Sequence, residues 1–77
     1  MTPHSYAISL ENTADMLAEA LWERWEECLN NQLVFAPMDR HTRKSLLRTR
    51  ATIDMILEGD IRSPMDMAAE VEGRVSE

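Results

Sequence analysis

The chain is poor in the residues most often used to build chemistry. A single cysteine, Cys28, excludes an internal disulfide and any Cys-x-x-Cys zinc pair. The only glycines, Gly59 and Gly73, stand apart, which excludes a glycine-rich loop around phosphate. His4 and His41 are far apart and fit no HExxH spacing, so no metal and no other cofactor is expected. No stretch reaches the ~20 apolar residues needed to span a bilayer. The opening Met1-Thr2-Pro3-His4-Ser5-Tyr6 lacks the basic-then-apolar order of a signal peptide. These absences imply a cytoplasmic protein with no membrane partner. Cations are also scarce: eight Lys and Arg stand against fourteen Asp and Glu, a formal charge of −6. Phosphate contact needs a surplus of cations on the docking face, so direct binding of nucleic acid is not the expected role.

Seventy-seven residues allow one small domain. Below roughly 70–80 residues a single core seldom supplies more than about 3–5 kcal/mol, and a disulfide or metal is already excluded. Self-association is the remaining supplement, and a homodimer is the expectation.

The apolar spacing predicts an all-α fold: a helical hairpin of two long amphipathic helices and a short C-terminal one. After an N-terminal arm over 1–8, the first helix is expected over 10–30, with Ser9 or Thr13 as N-cap and Glu11 and Asp15 near its positive end. At about 100° per residue, Leu10, Ala14, Leu17, Leu21, Trp25 and Cys28 share one stripe. Asp15, Glu19, Glu23, Glu26 and Glu27 fall opposite. Asn30-Asn31-Gln32 weakens the helix, and Leu33-Val34-Phe35-Ala36-Pro37 reads as an apolar connector tucked against the core, extended in part. The second helix is expected over 40–58, capped by Asp39 and stopped by Gly59. Its apolar line is Leu46, Ile53 and Leu57, flanked by Leu47 and Ile56, and Arg50 can pair with Asp54 one turn on. Ser63-Pro64-Met65-Asp66 opens a third helix over 64–73, with Met65, Ala68, Ala69 and Glu72 on one side and a frayed tail from Arg74.

Two charged surfaces are candidates for function. On the first helix, Asp15, Glu19, Glu23 and Glu26 form an acidic face that imitates a phosphate backbone or is simply solvated. Trp22 lies at its border, about 60° around the helix from Trp25, where a partly exposed tryptophan can anchor an interface. The opposite pole is Arg40, His41, Arg43, Lys44, Arg48 and Arg50, crowded where the helix dipole disfavours cations. Either these face carboxylates within the chain, on the first helix or at Asp66, Glu70 and Glu72, or they meet an acidic partner or phosphate. Catalysis has no support. His41 has no neighbouring nucleophile, and Cys28 falls on the apolar stripe, where thiols are usually inert.

Three segments also carry a family resemblance. The run from Ala14 to Trp25, then Phe35-Ala36-Pro37, then the run from Leu47 to Leu57, resemble the ryanodine-receptor repeat, with its LAExxHxxW-like helix, aromatic-Gly-Pro turn and second helix. Trp22 stands where that family has histidine, Ala36 where it has glycine, and the long loop after the turn is missing. No ligand residue therefore carries over. What the resemblance implies is a compact helical hairpin in an accessory protein of phage type, a class that includes inhibitors of CRISPR and restriction systems.

The resulting expectation is a non-enzymatic interaction protein with a protein partner, using Asp15, Glu19, Trp22, Glu23 and Glu26, its sharpest form an inhibitor of a nucleic-acid-handling complex. The alternatives are a small DNA-binding regulator using Arg40, Arg43, Lys44 and Arg48, and an oligomeric assembly subunit.

Overall fold

The computed structural model describes residues 2–33 and 38–76. Most of the expected connector, residues 34–37, lies outside them. The fold is all-α, in the order long, long, short: α1 (Pro3–Asn30), α2 (Arg40–Glu58) and α3 (Pro64–Val75). No strand occurs among the described residues. The chain divides into two compact units, Met1–Pro37 and Met38–Glu77.

In the first unit, α1 begins seven residues earlier than its spacing predicts. Thr2 is the N-cap, accepting a hydrogen bond from the Ser5 amide (3.2 Å), and Pro3 occupies the first helical position, where its missing N–H and fixed φ suit the start. The expected arm over 1–8 is thus helical. Ser9 and Thr13 are interior positions, and the Thr13 hydroxyl donates back to the Ser9 carbonyl (2.8 Å). Glu11 and Asp15 consequently lie beyond the first turn, which contains no carboxylate. The helix ends as expected at Asn30. The Asn31 amide and side chain both donate to the Glu27 carbonyl, and Gln32 takes a left-handed φ of 58°. Leu33, expected against the core, is exposed.

The second unit packs α3 on α2. Asp39 caps α2 as the sequence predicts, accepting from the His41 and Thr42 amides (2.9 and 3.1 Å) and from the Thr42 hydroxyl (2.6 Å). That hydroxyl, ahead of the two amides, holds the Asp39 carboxyl below the usual value. Gly59 stops the helix in the left-handed region at φ 70°, where other residues are strained. Its amide reaches the Ile56 carbonyl and the Asp60 amide reaches that of Met55, the paired bonds of a Schellman stop.

The face of α2 that packs is not the one the leucines predict. Met55 (1% exposed) and Ala51 (6%) are buried, whereas Leu46, Ile53 and Leu57 lie nearly opposite and are exposed, Leu57 at 79%. On α3 the packing residues are Met67, Val71 and Val75, one turn apart, and Met65 points outward at 82%. Nor does α3 stop at Gly73. Val75 is 3% exposed, and the bidentate pair of Arg74 with Glu58 (2.7 and 3.1 Å) holds the last turn. Those contacts outweigh the roughly 1 kcal/mol that glycine costs a helix interior. Asp54, expected to pair with Arg50, instead lies in the field of Arg74. Arg62, in the linker, folds back on Asp60 (2.6 Å) and Glu70 (3.3 Å).

With so few buried side chains, Met55 matters disproportionately. Met55→Ala should destabilise the α2–α3 unit by about 2–3 kcal/mol, read as a lower urea midpoint by circular dichroism. Leu57→Ala should shift that midpoint by less than about 0.5 kcal/mol, as a surface change does.

Candidate functional site

The acidic candidates share one face of α1, as the established helix requires. Asp15, Glu19 and Glu23 recur every fourth residue, and Glu26 continues the line three residues on. Successive carboxylates are spaced by about 6 Å along the axis, then about 4.5 Å. All are exposed, and Trp22 borders them with 59% of its surface free. The one guanidinium on the helix, Arg24, pairs with Glu27 (3.0 Å), outside this line. The negative charge is therefore local. Glu11, Asp15, Glu19, Glu23, Glu26 and Glu27 stand on α1 against Arg24 alone, so α1 carries nearly all of the formal −6.

The apolar stripe beside it is uncovered too. Leu10, Leu17, Leu21 and Trp25 are all exposed, Cys28 is only half-buried, and α1 contains no buried residue. Within the first unit, a stripe legible as core from its period buries none of its residues.

The basic candidates separate into two groups. Arg40, Arg43 and Lys44 line an open cleft of about 440 Å³ with Val75 and Ser76. The cleft sets the first turns of α2 beside the last turn of α3, whose negative dipole end favours nearby cations. This placement offsets the unfavourable dipole of α2's own start. Arg48 is drawn away from them into a bidentate pair with Glu72 (2.6 and 3.1 Å). Lys44 adds its field there, so Glu72 is held below the usual carboxylate value, chiefly by the Arg48 hydrogen bonds. Intramolecular compensation thus accounts for Arg48 through Glu72. Glu70 serves Arg62 and Arg74 instead.

One further concavity was not legible in the sequence. Thr52, Met55, Ile56, Met67, Ala68 and Val71 line an apolar groove of about 260 Å³ between α2 and α3. Finding it requires the relative placement of two helices, which no local spacing encodes. Among the described residues, no group of three or more His, Cys, Asp or Glu could hold a metal ion, and no helix is long and apolar enough to cross a membrane. No family model, curated protein or solved structure matches the chain.

The ion pairs imply a definite acid response. Glu58 and Glu72 bind protons less readily when folded than at their ordinary value of 4.5, through hydrogen bonds from Arg74 and Arg48 respectively. The stability they contribute is fully present above that value and disappears as the pH falls below it, through the lowered folded values. Denaturant midpoints of the full chain should fall across that acid window. In Glu72→Gln the fall should be shallower.

Proposed function

We propose that the protein is a non-enzymatic interaction module that presents the acidic face of α1, with Trp22 at its border, to a protein partner. The observation supporting this reading is the exposed line of Asp15, Glu19, Glu23 and Glu26 with no cation interleaved. A basic groove evolved for phosphate would accept such a line. Its charges recur every ~6 Å, more sparsely than the ~3.4 Å of phosphates along one strand. Charge alone would therefore bind such a groove less strongly than nucleic acid, and Trp22 supplies the desolvated anchor that a phosphate backbone lacks. In its sharpest form the module works in the cytoplasm as an inhibitor of a nucleic-acid-handling or defence complex, as phage-type accessory proteins do.

Binding of DNA through Arg40, Arg43, Lys44 and Arg48 is the alternative, and two observations weigh against it. Arg48 is committed to Glu72, and the neighbouring α3 brings Asp66, Glu70 and Glu72 to the same unit. A phosphate backbone approaching that unit meets those carboxylates.

Two measurements separate the readings. At low salt, nonspecific duplex should be left unshifted by the protein in a gel, whereas a DNA-binding regulator would give salt-sensitive retardation. Proteins captured from a bacterial lysate by the wild-type chain should be lost with Glu19→Lys/Glu23→Lys/Glu26→Lys. Trp22→Ala should weaken their retention roughly 30-fold, as loss of an interface anchor does. Capture that survives the charge reversal undiminished would sink the proposal.

A further inference from the structure

An amphipathic helix gains most of its stability from covering its apolar face, and propensity alone leaves a single helix marginal in water. α1 is 28 residues long with no buried residue. Its stripe has the spacing of a seam: Ala7, Leu10, Ala14, Leu17, Leu21, Arg24 and Cys28 alternate steps of three and four residues, the a and d positions of successive heptads. The acidic line falls outside that seam, with Asp15 at b, Glu23 at c and Glu19 and Glu26 at f. The seam's flanks are nearly neutral: Tyr6, Thr13, Ala18, Ala20 and Trp25, with only Glu11 and Glu27 charged. A second copy can therefore approach along this seam without opposing the line of Asp15, Glu19, Glu23 and Glu26.

The order of residues along the seam also selects an orientation. In parallel, in-register pairing, Arg24 would meet Arg24, and Ala7 and Ala14 would each meet themselves. That arrangement opposes two like charges at the centre of the interface and leaves voids in two layers. Antiparallel pairing, with the helices crossing between residues 15 and 16, sets Leu10 against Leu21 of the second copy, Ala14 against its Leu17, and Ala7 against its Arg24. Each alanine then faces a longer side chain, and Arg24 can lay its aliphatic stem over Ala7 while its head reaches water. On the flanks Glu11 meets Ala18, and Tyr6 meets Glu27, a phenol beside a carboxylate. No like charges are opposed in this register.

We propose that α1 is a self-recognition surface, pairing antiparallel with α1 of a second copy in this register. The overlap runs nearly the whole helix, about 40 Å. The exposed surface of Tyr6, Leu10, Leu17, Leu21, Trp25 and the small residues between them amounts to something on the order of 600 Å² per copy, so the pair sits at the low end of the ~1,200–2,000 Å² of stable interfaces. Pairing leaves Trp22 and the acidic line outward on both copies. The inference goes beyond the proposed function and stands independently of it, since the acidic face could bind a partner from a monomer or a dimer.

Cross-linking of full-length chains tests both the pairing and its direction. In a Cys28→Ser background, Ala7→Cys and Arg24→Cys chains are prepared separately, mixed and oxidised. The register puts position 7 of one chain opposite position 24 of the other, while like positions stand about 25 Å apart, far beyond the ~7 Å that a disulfide can bridge. Mixed dimers, each joining one Ala7→Cys chain to one Arg24→Cys chain, should dominate over dimers of either chain with itself. The wild-type chain should sediment as a dimer at 100 µM, and Leu17→Glu should weaken that association at least tenfold. A wild-type monomer at that concentration overturns the proposal, including the case in which a chain covers its own α1. Like-with-like cross-links equal to or exceeding the mixed species overturn it as well.

Discussion

Shortage of covered apolar surface governs this molecule. Among the described residues only Ala51, Met55 and Val75 are buried, so the α2–α3 unit rests on little more than one methionine and two small side chains. The other features of that unit compensate for this. Asp39, Gly59 and Ser63 satisfy helix ends that a larger core would hold by packing. Arg48 and Arg74 clamp α3, through Glu72 and Glu58, to the middle and the C-terminal end of α2. Each such exposed pair is individually modest, but here they also fix which face of α3 meets α2.

The same shortage gives meaning to what is left open. α1 buries nothing along its 28 residues, while the Leu46–Ile53–Leu57 line of α2 is likewise exposed. Isolated exposed leucines are ordinary on any protein, whereas on α1 the exposed apolar residues recur at helical spacing along one stripe. Charge partition sharpens the point. α2 and α3 nearly balance their cations and carboxylates against one another, whereas α1 keeps its negative charge uncompensated. Charge compensation and the buried side chains therefore fall in one part of the chain, and the uncompensated charge in another.

Element type and most helix ends were legible in the residues because they depend on local physics. Asp39 and Ser63-Pro64 marked helix starts, and Gly59 marked a stop, through side-chain caps, a fixed proline φ and a left-handed glycine, none of which needs a distant neighbour. Thr2-Pro3 carries the same start signal as Ser63-Pro64, a hydroxyl cap followed by proline at the first helical position. Gly73 misled in the opposite direction. Its propensity to end a helix is real but small, and the contacts of Val75 and Arg74 with α2 override it. The candidate site was legible in part: Asp15, Glu19, Trp22, Glu23 and Glu26 share a face because helical periodicity requires it. That Arg48 leaves the basic cluster for Glu72 depends on a pairing across 24 residues.

By itself the sequence determined that the chain is helical, where its second and third helices begin, and that α1 segregates acid from apolar residues, because capping and periodicity act within a turn or two. Only the tertiary structure decided that Ala51 and Met55, rather than Leu46 and Leu57, face the neighbouring helix. Two faces of α2 are apolar enough to pack, and local spacing weighs them by size. The choice between them was made by the short connection to α3 and by the ion pairs at its flanks, which exist only once both helices are in place.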